Sequence, residues 1–252
     1  MMFRLAVWIF LLAAPVHADE ISVALTEQQI SIDEGFSGAR IILYGVVSGA
    51  GGAERAPGDL VVIVRGPEED LAVREKRRTG PIWTAGEPVR VAGAPGFYFL
   101  GATRALNDIL SPDERTERQI GAGHLSVSLI DAAAGQRSPD TLEIARAAIV
   151  EAMSDRALYR EDIGAVSFLD GGLFQVAIDF PANTPVGPYR SEIYLLRAGE
   201  IVAWRTAPLY VEKVGLERML YDLAHQRPLT YGLLCVAMSL FAGWLASVLF
   251  RR

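Results

Sequence analysis

The sequence contains one cysteine, and this scarcity excludes several kinds of site. Cys235 falls inside a long apolar segment near the carboxyl end. The rest of the chain can therefore hold no disulfide, no thiol nucleophile and no thiolate metal site. Outside the first 18 residues there are two histidines, His124 and His225, and they do not form the H-x-x-x-H spacing of a metal motif. We therefore predict no metal site and expect both to be ordinary surface or interface residues.

The sequence also lacks the motifs that mark common enzymes. It has no G-x-S-x-G, no H-E-x-x-H, no Walker loop and no G-x-G-x-x-G fingerprint. The glycines at 49, 51 and 52 have neither the spacing nor the following lysine that phosphate binding requires. We predict that the protein is not an enzyme, with no catalytic residues and no cofactor. A site built from carboxylates stays open, because Asp and Glu are plentiful and spacing cannot show which of them meet.

Charge is scarce as well, at 21% of residues, and it is unevenly distributed. Of the 24 basic residues, three lie at the ends of the chain, as Arg4, Arg251 and Arg252. Segment 19–228 thus keeps 21 basic residues against all 30 acidic ones, a net charge of −9. A domain this acidic is not expected to bind nucleic acid through bulk electrostatics.

The amino end has the pattern of a secretory signal. Arg4 precedes an apolar run over residues 5–14, and a small-x-small sequence ends at Ala18 before two acidic residues. Ten apolar residues are well short of the roughly 20 that cross a bilayer, which disfavours an uncleaved anchor. We predict that residues 1–18 are a signal peptide removed after Ala18.

The carboxyl end has the pattern of a membrane-spanning helix. Residues 229–250 contain no charge and are bounded by Arg227 and Arg251. At about 1.5 Å per residue such a helix is ~33 Å long, enough to cross the hydrocarbon core. Because a signal peptide directs export of the chain behind it, residues 251–252 would remain in the cytoplasm, as the positive-inside rule favours. We predict a single-pass protein that contacts the lipid bilayer through residues 229–250.

One face of this apolar segment carries small residues. Ser239, Gly243 and Ser247 recur every four residues and would let another helix approach closely. These three are the candidate helix-packing residues. The helix that they meet would belong to a membrane-protein partner or to a second copy of the chain.

Between the two ends, hydrophobicity alternates with the period of β-strands. Residues 174–180 alternate cleanly, whereas residues 41–47 and 60–64 are continuous apolar runs typical of strands buried on both faces. Turns rich in Gly and Pro separate these segments. We predict a mainly β fold, with immunoglobulin-like β-sandwich units. Further strand candidates are residues 21–25, 29–33, 71–74, 89–91, 97–100, 125–129 and 189–196.

Helical patterns interrupt the strands. Residues 105–119 and 140–160 are predicted to be helical. Residues 215–226 form an apolar stripe that is expected either along the membrane surface or docked on the chain's own domain. Whether the last β unit is independent or completes the first is left open, because about 50 residues is small for a separate sandwich. The predicted organisation is a sandwich over 19–104, a helical connection over 105–163, a second β unit over 164–213 and a juxtamembrane helix over 214–228.

Several stretches resemble a family of alphaproteobacterial transmembrane proteins of unknown function. The resemblance implies a bacterial inner-membrane location with a periplasmic bulk, and it implies no catalytic residues. Members of that family occur beside sulfite-exporter-like membrane proteins, so the resemblance implies a transporter as a candidate partner. The matching residues lie in 61–67, 80–83, 97–98, 173–174, 180–189, 209–218, 221–225, 228, 231–233 and 243–251.

Two classes of function remain open. The first is a non-enzymatic interaction or accessory module for a membrane partner, favoured by the missing nucleophiles and the small-residue face. The alternative is a periplasmic solute-binding receptor or a carboxylate-based enzyme, with Arg and carboxylates at the loops between strands. Strongly perturbed carboxylates in a closed pocket would favour the alternative.

Overall fold

The computed structural model describes residues 20–33, 35–48, 58–79, 82–130, 139–169, 172–213, 224–225 and 228–249. These residues form a mainly β protein, as the sequence predicted, and they contain thirteen strands in three sheets. The strands are β1 (Glu20–Leu25), β2 (Gln29–Ile32), β3 (Gly38–Ser48), β4 (Asp59–Arg65), β5 (Glu68–Thr79), β6 (Ile82–Pro95), β7 (Tyr98–Ala102), β8 (Ser128–Ile130), β9 (Tyr159–Ile163), β10 (Ser167–Phe168), β11 (Leu173–Pro181), β12 (Gly187–Arg197) and β13 (Glu200–Lys213).

Two sheets make up most of the fold. The first has four antiparallel strands in the order β1-β3-β11-β10. The second has six strands in the order β2-β13-β12-β4-β7-β9, and its pairs β13/β2 and β7/β9 are parallel. Strand β4 lies inside this sheet, and residues 60–64 are fully buried, as their continuous apolar run predicted.

Strands from the beginning and the end of the chain share both sheets. Strand β11 pairs with β3 along nine residues, and β12 lies between β4 and β13. The strands of segment 164–213 therefore complete sheets that the first hundred residues begin. This pairing explains how about 50 residues can form stable strands, since they bury their apolar side chains against the earlier strands.

Aromatic side chains join the two large sheets. The ring of Phe97 stacks on that of Phe180 at 4.8 Å between centroids, and Tyr189 meets the Phe180 ring edge-on at 5.7 Å. All three side chains are buried. The sheets thus pack face to face, and this packing defines an inner face of each sheet that points into the core.

The third sheet is built on a long hairpin. Strands β5 and β6 pair antiparallel, and β8 adds to β6. The basic run that begins at Arg74 is part of β5, which has an irregularity between Arg74 and Lys76. The strand predicted over 125–129 is shorter and later, because residues 122–124 form a 3₁₀ turn and pairing starts at Ser128.

Helices follow β7 and β8 along the chain, and another lies near the carboxyl end. The helix predicted over 140–160 is shorter and spans residues 139–155. Ala157 then adopts a positive φ of 58°, which ends the helix, and the chain enters β9. The predicted signal peptide and most of the predicted juxtamembrane helix lie outside the described residues. The helices are α1 (Leu106–Ile109), α2 (Pro112–Glu117), α3 (Pro139–Asp155) and α4 (Pro228–Leu249).

Candidate functional site

Helix α4 is the one helix among the described residues that is long and apolar enough to cross a membrane. Its segment Pro228–Ala246 has a mean hydropathy of 1.7 and is not buried against any other part of the chain. Large side chains such as Leu229 and Leu240 are 90% and 70% exposed. An apolar helix without a polar face or a covering element is suited to a lipid environment.

The predicted helix-packing residues all lie on α4. The Ser239 hydroxyl donates a hydrogen bond to the Cys235 carbonyl oxygen at 2.8 Å, so its polar group is satisfied within the helix. Gly243 lies one turn further on, and no atom lies within 4 Å of the position that a Cβ would take there. Ser247 follows one turn later. Their spacing of four residues places the three on one face of α4.

A polar cluster around Arg65 lies at one end of the six-stranded sheet, on its outer face. The Arg65 side chain forms an ion pair with Glu192 of the neighbouring strand β12. Its Nη2 also donates to the carbonyl oxygens of Arg118 and Gln119, at 3.2 and 2.9 Å. The hydroxyl of Tyr194 donates to the same Glu192 carboxylate at 3.0 Å. One arginine thus joins two strands to the loop that crosses them.

That loop, residues 118–125, is fixed by further buried bonds. The Gly121 N–H donates to the Tyr98 hydroxyl at 2.8 Å, and the Ala122 N–H donates to Glu161 Oε1 at 2.6 Å. Burial raises the pKa of Tyr98, so its phenol stays protonated at neutral pH. Gln119 and Gly121 have positive φ values of 55° and 104°, and these bend the loop onto the sheet. These hydrogen bonds therefore hold the loop in place against the sheet.

A cavity of about 270 Å³ opens between this loop and the strand ends. Its lining combines charged side chains with apolar surface contributed by prolines and a leucine. The volume lies just below the range typical of small-molecule pockets. The residues that define its character are Arg65, Pro67, Glu68, Gln119, Leu125 and Arg190.

The charge around the cavity differs from that of segment 19–228 as a whole. Two arginines, Arg65 and Arg190, and one carboxylate residue, Glu68, line the cavity, within a segment of net charge −9. The Arg190 side chain is 70% exposed, and its Nη1 lies 4.0 Å from Glu192 Oε1. An exposed guanidinium beside an apolar cavity can bind a carboxylate or another planar anion.

The carboxyl groups whose pKa values are shifted are in surface ion pairs. A hydrogen bond from Arg104 lowers the pKa of Asp59, and a hydrogen bond from Arg40 lowers the pKa of Asp179. Burial, with nearby arginines, lowers the pKa of His124. Among the described residues, no group of three or more His, Cys, Asp or Glu side chains is arranged to hold a metal ion. Acids with lowered pKa values favour a structural role over general-acid chemistry.

Comparison with known families gives one result. Residues 20–252 match the family model described as "Putative transmembrane protein (Alph_Pro_TM)". The chain belongs to this family. The match covers the three sheets and helix α4, as the resemblance in the sequence predicted. No curated protein matches the sequence.

In this member of the Alph_Pro_TM family, the cavity is the feature that the sequence analysis missed. Its lining comes from four separate segments, near residues 65–68, 93–95, 119–125 and 188–190. None of these segments contains a recognisable motif. The expectation that Arg and carboxylates would lie at loops between strands was the one signal that pointed toward it.

Proposed function

We propose that the protein is a single-pass inner-membrane protein whose periplasmic ectodomain is a non-enzymatic interaction or accessory module for a membrane partner. In this proposal the signal peptide is cleaved after Ala18, and α4 anchors the ectodomain. The partner is a membrane protein such as a transporter, or a second copy of the chain. The observation that carries the proposal is the uncovered apolar surface of α4.

The strand order supports an immunoglobulin-like ectodomain. In such domains one sheet has the strand order A-B-E-D and the other contains G-F-C. The order β1-β3-β11-β10 and the neighbouring strands β13-β12-β4 have the same chain sequence and adjacency. In this correspondence the β5–β6 hairpin and the helices α1 to α3 are insertions between the core strands.

Exposed aromatic side chains support an interaction role. On β13, the strand that leads toward the membrane helix, Trp204 is 56% exposed and Tyr210 is 49% exposed. Their even numbering places both on the outer face of the six-stranded sheet, opposite to the buried Leu209 and Val211. Trp and Tyr are enriched among the residues that dominate protein interfaces.

Reporter fusions test the membrane topology. Alkaline phosphatase, active only after export, is fused after Lys213, and a cytoplasmic fluorescent protein is fused after Arg252. We expect both reporters to be active in the same bacterial host. A phosphatase fusion without activity would refute the periplasmic ectodomain.

Affinity purification tests the partner role. The tagged full-length protein is purified in mild detergent, and the co-purified proteins are identified by mass spectrometry. A matched control carries an unrelated 22-residue membrane helix in place of α4. We expect a membrane protein, or a second differently tagged copy, to be recovered with α4 and lost with the replacement helix. Recovery of the tagged chain alone in both preparations would contradict the proposal.

A further inference from the structure

We propose that the cavity beside Arg65 is a binding site for a small organic carboxylate, whose charged group is held by Arg190. The inference does not depend on the partner role of the membrane helix. It rests on three properties of the cavity: fixed walls, an exposed guanidinium and a lining that is in part apolar.

The walls of the cavity are fixed before any ligand binds. Pro67 packs against Gly187, where a Cβ would lie 3.1 Å from the proline ring. The Gly96 N–H donates to the Pro67 carbonyl oxygen at 2.7 Å, which ties the β4 end to the β6 end. On the opposite side the wall is the loop held by Arg65 and Tyr98. A ligand would therefore lose little binding energy in ordering this site.

The two arginines of the cavity have different roles. Arg65 is 19% exposed and already binds Glu192 and two loop carbonyls, so it supports the wall. Arg190 is 70% exposed, and its 4.0 Å approach to Glu192 is too long for a hydrogen bond. Its guanidinium can therefore present two parallel N–H groups to an incoming carboxylate.

The remaining lining residues favour a ligand that carries a hydrocarbon group. Pro67 and Leu125 contribute apolar surface, and Gln119 also lines the cavity. An inorganic anion would leave this apolar surface in contact with water, whereas a hydrocarbon group would cover it. The volume of about 270 Å³ limits the body to roughly one ring or a short branched chain.

Glu68 provides a second test of the proposal, because its substitution should change the affinity in the opposite direction. Glu68 lines the same cavity, and its negative charge would repel an anionic ligand. Removal of this charge is therefore expected to strengthen binding, whereas removal of the Arg190 charge weakens it. A nonspecific hydrophobic pocket would respond to neither change.

Isothermal titration calorimetry on the full-length protein in detergent micelles tests the site. The probes are benzoate and cyclohexanecarboxylate, with benzamide as the neutral match and inorganic phosphate as the anion without an apolar body. The variants are Arg190→Met, Arg190→Lys and Glu68→Gln. Arg156→Met is the control, since Arg156 is exposed and lies outside the cavity lining. Probe uptake by the micelles is the same for every variant.

We expect both carboxylates to bind about tenfold more tightly than benzamide and phosphate. Arg190→Met should weaken carboxylate binding by about tenfold or more, Arg190→Lys by less, and Arg156→Met should have no effect. Glu68→Gln should tighten binding by about two- to fivefold. Equal affinity for acid and amide, unchanged binding in Arg190→Met, or no saturable binding up to about 10 mM would overturn the proposal.

Discussion

Arg65 and Glu192 form an ion pair across β4 and β12 in which both side chains are largely shielded from water, at 19% and 12% exposure. The pair lies between the sheet and loop 118–125, and it is tied to both. Its energetic role is therefore not that of a surface salt bridge, because loss of one partner leaves the other charge in a site with little water.

Substitution of Glu192 by leucine should strongly destabilise the protein. The Arg65 guanidinium would stay shielded without its counter-charge, at a cost of roughly 3 kcal/mol in the free energy of unfolding. Urea unfolding of the full-length protein in micelles, followed by circular dichroism, measures this cost. The double variant Arg65→Met, Glu192→Leu should recover much of the loss, because it removes both charges. Additive losses in the double variant would show that the two charges do not interact.

Tyr98 provides a second test of the loop. Tyr98→Phe removes the acceptor of the Gly121 N–H and leaves that buried donor unsatisfied. We expect a loss of about 1–3 kcal/mol in unfolding free energy. Hydrogen exchange should also become faster at Gly121. The matched control is Tyr210→Phe, whose side chain is 49% exposed and whose substitution should change stability by less than about 0.5 kcal/mol.

Gly45 is expected to tolerate no side chain. In the four-stranded sheet, a Cβ at Gly45 would lie 2.3 Å from the Phe174 ring and 2.8 Å from the Ser22 carbonyl oxygen. Because one of these atoms belongs to the backbone, rearrangement of the ring alone cannot relieve the contact. Gly45→Ala should therefore cost about 2 kcal/mol or more in unfolding free energy.

The control for that substitution is Gly123→Ala. No atom lies within 4 Å of a Cβ at Gly123, and its φ is not positive. We expect a change of less than about 0.5 kcal/mol. If the two alanine variants were equally stable, the close approach of Phe174 to the strand would be refuted.

Hydrophobicity patterns in the sequence predicted the central strands of the sheets but not an edge strand. The alternation of residues 174–180 predicted β11, and the apolar run at 60–64 predicted β4. Such patterns are visible in the sequence because burial of one or both faces of a strand requires apolar residues there. Strand β9 was missed. Three of its five residues, Arg160, Glu161 and Asp162, are charged, since it pairs on one side only, at the edge of the sheet.

The cavity could not be predicted, for a different reason. Arg65 and Arg190 are neighbours because β4 pairs with β12. These strands are far apart in the sequence, so no local sequence pattern predicts their pairing. The membrane helix is the opposite case. Its length and lack of charge are local properties, so the sequence alone was enough to locate α4.

The pH dependence of stability should reflect Asp59. Hydrogen bonds from Arg104 lower its pKa, with Nε 2.8 Å from Oδ1. A carboxyl group whose pKa is lower in the folded state stabilises the fold above its unfolded pKa, near 3.9, and this contribution disappears as the pH falls through the folded value. Asp59→Asn should therefore cost about 1 kcal/mol at pH 7 and less at about pH 2. Urea unfolding at both pH values checks this, and an equal cost at both would contradict the ionic role.

Gly243 tests the small-residue face of the membrane helix. A leucine there would hold a second helix away from the strip of Ser239, Gly243 and Ser247, so Gly243→Leu should abolish association in a membrane two-hybrid or crosslinking assay. The matched control is Ala237→Leu, which adds a similar bulk about 120° around the helix and should leave association intact. Both variants remain uncharged and should insert equally well into the membrane. Unchanged association in Gly243→Leu would show that the partner helix, if one binds, uses another face.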